Sequence, residues 1–165
     1  MVFLDTCIWI ELCSVRTPVK PNEIRQANEA GRLLTNLLNT KEEIVTFNEQ
    51  LLEIVSAVQK VKMREYNNLC KGGTIKGVGN LKEFRGTCDY SITKNLCIQV
   101  CEDVCHFAKL HNIGEIKVKD ILSRIDIADI NDCMYYDYCR ENNIKLYTFD
   151  TDYRLIDAEN IVNVI

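Results

Sequence analysis

Short, continuous apolar runs alternate along the chain with longer stretches in which apolar residues recur every three or four positions. A run such as VFL or EIVTF, apolar without alternation and too short for a helix, is typical of a strand buried on both faces of a parallel sheet. Two runs near the carboxyl terminus, KLYT and NIVNVI, have the same character. The pattern therefore predicts four strands, at residues 2–4, 43–47, 145–148 and 160–165.

Apolar residues at helical spacing occupy the intervals between these strands. Pro21 opens a stretch in which such residues recur through Leu38, and Asn48 is placed to cap a helix that runs to about Glu65. Further helical stretches lie at 92–110, 118–123 and 129–142. Strands and helices that alternate in this way predict an α/β fold with a mainly parallel sheet, in which ligands bind at the carboxyl ends of the strands.

Glycine and positive charge are concentrated in one part of the chain. Five of the seven glycines fall within 67–90, which predicts a flexible loop. Residues 60–94 include eight basic and three acidic side chains, a net charge of +5, whereas the whole chain has a net charge of −4. The overall charge argues against polyanion binding through bulk charge but permits a local basic face. The basic segment is either such a face, able to hold a polyanion, or a solvated surface loop. The length of 165 residues predicts one domain, 1–165, with a basic, glycine-rich insertion at about 66–91.

The nine cysteines are odd in number and no secretion signal precedes them, so we expect reduced thiols that act as small buried apolar residues in a cytoplasmic protein. No apolar run approaches the roughly 18 residues of a membrane span, so no membrane association is expected. Cys97, Cys101 and Cys105 recur every four residues on one face of a predicted helix. A core stripe is favoured over a zinc site, because zinc needs four converging ligands and no second closely spaced pair exists.

Acidic residues occupy corresponding places near the ends of the predicted strands. Asp5 directly follows the first strand, and Asp150 follows the KLYT strand, with Asp152 two residues further on. Glu53 lies early in the helix after the second strand, and Asp132 lies in the first turn of the helix before KLYT. Carboxylates this close repel one another unless a cation lies between them, and an all-oxygen ligand set suits Mg²⁺ or Mn²⁺.

Each acid also has a purely structural explanation. A carboxylate before or within the first turn of a helix caps that helix or interacts with its dipole, which suits Asp5, Asp129 and Asp132. Glu53 suits a solvated helix face, and Glu49 competes for its role. The acids after KLYT suit a turn. The functional interpretation therefore depends on the whole set rather than on any one member.

Two enzyme classes with similar acidic motifs fit the chain less well. The Asp-x-Asp pattern at 150–152 is found in phosphatases of the haloacid dehalogenase type, but these need it after the first strand, where this chain reads DTC. Toprim enzymes need a glutamate after the first strand, and this chain has Asp5 there. Neither class is favoured.

In order and placement, the acids resemble those of the PIN-domain nucleases, a family that includes the VapC-type toxins. In that family an Asp, often followed by Thr, comes after the first strand, a Glu lies in the helix after the second strand, an Asp opens a late helix, and Thr-x-Asp closes the next strand. The stretch DCMYYDYCRENNIKLYTFDTDYRL matches the closing segment without a gap. The resemblance covers both ends of the chain and residues 43 to about 62, but not 67–110. The matching residues are Asp5-Thr6, Glu53, Asp132-Cys133 and Thr148-Phe149-Asp150.

The resemblance implies a three-layer α/β/α domain and a metal-dependent endoribonuclease that leaves a 5′-phosphate and a 3′-hydroxyl. Asp5, Glu53, Asp132 and Asp150 would then be the catalytic residues and would hold one or two Mg²⁺ or Mn²⁺ ions. Asp152 would be an auxiliary ligand.

RNA would be held by hydroxyls beside the acids and by the basic insertion. The hydroxyls of Thr6 and Thr148 either orient a carboxylate or bind a phosphate. Lys71, Lys76 and Arg85 are expected to contact the phosphates of the RNA backbone. The resemblance further implies a small antitoxin protein as partner and a homodimer. The alternative hypothesis is a non-catalytic PIN-like module that binds RNA or a protein partner.

Overall fold

The computed structural model describes residues 1–71, 73 and 76–165. In these residues five strands form one sheet in which every neighbouring pair is parallel. They are β1 (Val2–Leu4), β2 (Ile44–Phe47), β3 (Ala108–His111), β4 (Lys145–Thr148) and β5 (Val162–Val164). The spatial order is β3-β2-β1-β4-β5. The α/β class with a parallel sheet, expected from the uninterrupted apolar runs, is confirmed.

Helices cover both faces of the sheet, so the expected three-layer α/β/α arrangement is also confirmed. Successive residues of β1 point to opposite faces, and they enter two separate cores. The helices are α1 (Thr6–Leu12), α2 (Pro21–Thr40), α3 (Asn48–Cys70), α4 (Leu81–Phe84), α5 (Tyr90–Phe107), α6 (Val118–Leu122), α7 (Ile130–Glu141) and a 3-10 helix (Asp152–Leu155). Val2 and Leu4 belong to the core under α1, α2, α3 and α5, whereas Phe3 belongs to the core under α6 and α7.

The strand order determines where a ligand site can form. The chain continues from β1 to β2 on one side of β1, whereas β4 lies on its other side, so the order reverses between β1 and β4. Leu4 is paired with Tyr147, and the backbone N–H of Asp5 donates to the Tyr147 carbonyl at 2.9 Å. The residues after β1 and after β4 therefore meet at one edge of the sheet. In open parallel sheets, this reversal point at the carboxyl edge is the usual binding crevice.

The start and the end of α3 differ from the prediction. Phe47, with an extended backbone, occupies the N-cap position, and Asn48 is already the first helical residue. The predicted cap at Asn48 was therefore wrong by one residue, because β2 leads directly into the helix. The helix also continues to Cys70, beyond the predicted end near Glu65.

The edge strand β3 was not predicted. The predicted helix at 92–110 is too long at its end, because the observed helix stops at Phe107. The next four residues pair in parallel with β2 instead. The sequence AKLH has the mixed polarity of an edge strand, since only Ala108 of the four residues is buried. Its strand conformation is thus determined by pairing with β2 rather than by its own pattern.

Residues 76–80 and 85–89 of the predicted loop at 67–90 contain neither helix nor strand, in agreement with the prediction. The prediction was wrong for 67–70, which extend α3, and for 81–84, which form the packed helix α4. Phe84 in α4 is 1% exposed and lies between the rings of Tyr66 and Tyr90, each with a centroid distance of 5.7 Å. Arg85 donates from Nε and Nη2 to Oε1 of Gln59 at 3.1 and 3.0 Å. The loop prediction for Gly72, Thr74 and Ile75 lies outside the described residues.

All nine cysteines belong to the described residues and are free thiols there, as expected. Their expected burial holds for Cys97, Cys133 and Cys139 but was wrong for Cys88 and Cys105, which are exposed. Among the described residues, no helix combines the length and the apolar character needed to cross a membrane.

Candidate active site

Asp5 lies at the junction of β1, β4 and α1. Its carboxylate accepts hydrogen bonds from the backbone N–H of Thr6 at 2.7 Å, from Sγ of Cys7 at 3.1 Å and from Oγ1 of Thr148 at 2.6 Å. The first of these caps α1, so the structural role expected for Asp5 is real. Asp5 is only 5% exposed, and this burial raises its pKa against the opposing effect of the hydrogen bonds. None of the ion pairs among the described residues includes Asp5.

Glu53 reaches the same place from the second turn of α3. Its Oε2 accepts hydrogen bonds from Nδ2 of Asn131 at 3.0 Å and from the Tyr135 hydroxyl at 2.9 Å. Burial raises the pKa of Glu53, the Tyr135 hydrogen bond lowers it, and the negative charge of Asp5 raises it further. Two donors from α7 thus fix one carboxylate oxygen of α3 at the sheet edge.

Asp132 is the third residue of α7, which begins after Asp129 at the N-cap position. Burial raises the pKa of Asp132 to about 7, and the negative charge of Asp5 adds to the shift, while the nearby Tyr153 hydroxyl opposes it. The Asp129 side chain makes no capping hydrogen bond with the described residues, although the position suits one. Asp132 therefore lies in an environment that disfavours its own charge.

Asp150 follows β4 and is held through Thr148. The Thr148 hydroxyl donates to Asp5 and accepts from the backbone N–H of Asp150 at 2.9 Å. Thr148 is fully buried, and this geometry favours the orienting role over contact with a phosphate. Oδ1 of Asp150 accepts from the backbone N–H of Asp152 at 2.8 Å, and Asp152 itself is exposed.

The four predicted catalytic acids line one open groove of about 400 Å³ at the carboxyl edge of the sheet. Asp129 and Thr6 also line it, whereas Glu49, the competing candidate for the α3 position, does not. Asp152 lies in a smaller cavity of about 260 Å³, which shares Asp129, Asp132 and Asp150 with the groove. Four separate segments of the chain thus deliver carboxylates to one place. The four acids are Asp5, Glu53, Asp132 and Asp150.

The basic residues of the groove are not those expected from the sequence. Lys71 is an exposed residue just after α3 and bonds to Asn68, Lys76 is exposed, and Arg85 bonds to Gln59. None of these three basic residues is among the described residues that line the groove. The lining cations are Arg16, Lys60 and Arg64.

The signal that identifies Lys60 and Arg64 is helical spacing. They follow Glu53 by seven and eleven residues, which places all three on one face of α3. The hydrogen-bond donors Asn131 and Tyr135 were also not anticipated, since only tertiary packing brings them to Glu53.

The donor set fits a hard divalent cation in its chemistry. All four candidate ligands are carboxylates, and the charge of Asp5 raises the pKa of both Glu53 and Asp132, as carboxylates do when no cation lies between them. As placed, no three His, Cys, Asp or Glu side chains of residues 1–71, 73 and 76–165 form a ready set of metal ligands. This applies equally to the stripe of Cys97, Cys101 and Cys105.

No model of a known protein family matches this chain. A search of curated proteins also gives no significant match.

Proposed function

We propose that this protein is a metal-dependent endoribonuclease of the PIN-domain type that hydrolyses RNA phosphodiester bonds. The observation that carries the proposal is the convergence of four carboxylates, from four separate segments, on one groove at the point where the strand order reverses. The resemblance of the sequence to PIN-domain nucleases supports the same assignment. It also suggests products with a 5′-phosphate and a 3′-hydroxyl.

Each residue of the site has a specific task in this proposal. Asp5, Glu53, Asp132 and Asp150 hold the cation, with Asp152 as an auxiliary ligand beside Asp150. When bound, Mg²⁺ or Mn²⁺ lowers the pKa of a coordinated water and stabilises negative charge on the leaving oxygen.

The neighbouring donors keep these carboxylates in place. Thr148 orients Asp5 and fixes the backbone at Asp150, while Tyr135 and Asn131 orient Glu53. Hydrogen bonds of this kind set the direction of a ligand oxygen and so affect both metal affinity and activity.

The proposal is tested by incubating labelled single-stranded RNA with purified protein in EDTA, Mg²⁺ or Mn²⁺. Asp150→Asn removes a ligand charge without changing side-chain size, so we expect at least a hundredfold loss of metal-dependent cleavage. Asp120→Asn, an exposed position on α6, is the charge-matched control and should cleave at the normal rate. Normal cleavage by Asp150→Asn, or equal cleavage in EDTA, would refute the proposal.

One observation favours a second candidate function. Among the described residues, the acids are not preassembled as a metal site. The same arrangement is expected of a non-catalytic PIN-like module that binds RNA or a protein partner. Calorimetric titration with Mn²⁺ separates the two functions. Binding that is lost in Asp150→Asn supports the nuclease, and absence of binding in folded wild-type protein supports the module.

The cellular setting is part of the same proposal. Following the resemblance, we propose a cytoplasmic protein that forms a homodimer and is paired with a small antitoxin protein. Light scattering of the purified chain tests the dimer, and a small open reading frame adjacent to the gene, whose product suppresses cleavage, would support the antitoxin.

A further inference from the structure

The groove continues from the acids along one face of α3. Six residues of this helix line it, beginning at Glu53 and ending at Arg64. At a rise of about 1.5 Å per residue, Lys60 lies about 10 Å and Arg64 about 16 Å from Glu53 along the helix axis. The residues between the acid and the cations are small, so the groove stays open there. The six are Glu53, Ser56, Ala57, Lys60, Val61 and Arg64.

Lys60 and Arg64 are distinguished from the third cation of the groove by their lack of carboxylate partners. Arg16 forms an ion pair with the buried Glu11, and its Nη1 lies 3.7 Å from Oε1 of Glu23. Lys60 and Arg64 are exposed, and neither forms an ion pair with any described residue. The charge of Arg16 is thus already balanced, whereas these two cations remain available to an external anion.

We infer that the Lys60–Arg64 face of α3 binds the backbone phosphates of single-stranded RNA on one side of the scissile bond. The inference rests on the proposed function, which places the scissile phosphate at the acids. A strand with about 3.4 Å per nucleotide would bring phosphates three to five nucleotides away onto Lys60 and Arg64, and a stretched strand would bring nearer ones. Two cations in one row along one helix match one phosphate backbone, so the inferred contacts are to a single strand.

This arrangement also explains how a polyanion tolerates the acidic end of the groove. The carboxylates repel every phosphate except the one that a cation neutralises, so affinity has to come from charges placed further along the strand. The substrate is therefore an oligonucleotide long enough to reach Lys60, and a dinucleotide gains nothing from either cation.

The test measures binding in EDTA, where no cleavage occurs. Fluorescence anisotropy of a labelled single-stranded oligoribonucleotide that spans the groove is recorded between about 50 and about 200 mM salt. For Lys60→Gln/Arg64→Gln we expect about tenfold weaker binding and a salt slope reduced by about 1.4, which corresponds to two lost phosphate contacts. Arg32→Gln/Lys145→Gln, two exposed positions on α2 and at the start of β4, remove the same charges elsewhere and should keep the wild-type slope.

A third variant, Lys71→Gln/Lys76→Gln, tests the basic insertion as the alternative RNA contact. Loss of affinity and slope confined to Lys60→Gln/Arg64→Gln supports the inference. Equal loss in all three double variants, no loss in Lys60→Gln/Arg64→Gln, or loss confined to Lys71→Gln/Lys76→Gln overturns it.

Cleavage assays separate this inference from the proposed function. With a long RNA, Lys60→Gln/Arg64→Gln should raise KM about tenfold, whereas Arg32→Gln/Lys145→Gln should keep the wild-type KM. If the wild-type protein binds RNA through these residues but shows no cleavage with either Mg²⁺ or Mn²⁺, the proposed function is refuted and the inference stands. If the wild type cleaves with Mn²⁺ but Lys60→Gln/Arg64→Gln and Arg32→Gln/Lys145→Gln have the same KM for long RNA, the inference is refuted and the proposed function stands.

Discussion

Asp132 is a residue at which burial and neighbouring charge act in the same direction. Both raise its pKa, from the ordinary value of 3.8 to about 7. Between these two values the folded protein retains a proton that the unfolded chain releases, so stability without metal falls as the pH rises from about 4 to about 7. The full shift corresponds to about 4 kcal/mol, and partial solvation of the side chain reduces this to about 2 kcal/mol.

Asp132→Asn should remove this pH dependence. In EDTA, urea unfolding should give equal stabilities for variant and wild type near pH 4, and the variant should be more stable by about 2 kcal/mol at pH 8. The reason is that Asn has no charge to bury beside Asp5. Asp120→Asn provides the control and should show no such trend. A stability difference that stays constant with pH would contradict the assigned environment of Asp132.

Tyr135 offers a test of whether Glu53, which accepts its hydrogen bond, is a metal ligand as proposed. Tyr135→Phe removes the donor to Glu53 but keeps the ring that packs on Phe3 and Phe47 at 5.1 and 5.7 Å. We expect Mn²⁺ affinity to fall about tenfold in calorimetric titration, the low end for loss of a group that orients a ligand. Tyr138→Phe, which breaks a bond to His111 instead, should bind Mn²⁺ normally. Equal affinities in the two variants would show that Tyr135 does not support the metal ligand.

Among the structural elements, α4 shows how far the glycine-rich segment at 66–91 is anchored to the rest of the protein. Phe84→Ala removes a ring that is 1% exposed and packed between two tyrosines, so we expect a loss of about 3 kcal/mol in urea unfolding. Ile92→Ala, at a side chain that is 70% exposed, should change stability by less than about 0.5 kcal/mol. A similar small effect for both would mean that α4 does not pack against α3 and α5 in solution.

The elements that the sequence predicted well are those whose own pattern determines their environment. β1 and β4 were placed at their observed bounds, because each is a run of three or four residues, which is too short for a helix and typical of a strand. β3 was missed because a polar edge strand becomes recognisable only through its partner β2. In the same way, the glycine-rich composition of residues 66–91 did not reveal the contact of Phe84 with Tyr66 and Tyr90.

The candidate site likewise has parts that the sequence predicts and parts that depend on tertiary packing. Each of the four acids closely follows a strand or lies in the first two turns of a helix, so their meeting at one edge of the sheet is expected from the parallel topology. The supporting contacts do not follow from it, because Tyr135 reaches Glu53 only through the packing of α7 against the sheet. Lys60 and Arg64 are a case between these two. The sequence shows that they share a helix face with Glu53, but only the structure shows that this face lines the groove.

For the whole molecule, the unbalanced carboxylates predict a stability that depends on divalent cations. Binding to the folded state alone stabilises by about 2.7 kcal/mol at a cation concentration one hundred times Kd, or about 5–10 °C in Tm for a domain of this size. Protons compete for the same oxygens, and the pKa of Asp132 is about 7, so the Mn²⁺-induced rise in Tm should grow between about pH 5.5 and 8. Thermal unfolding with Mn²⁺, compared with NaCl at equal ionic strength, measures this rise, and Asp150→Asn should lose most of it. If NaCl raised Tm as much as Mn²⁺ did, or if Asp150→Asn responded like the wild type, the carboxylates would not be acting together as a cation site.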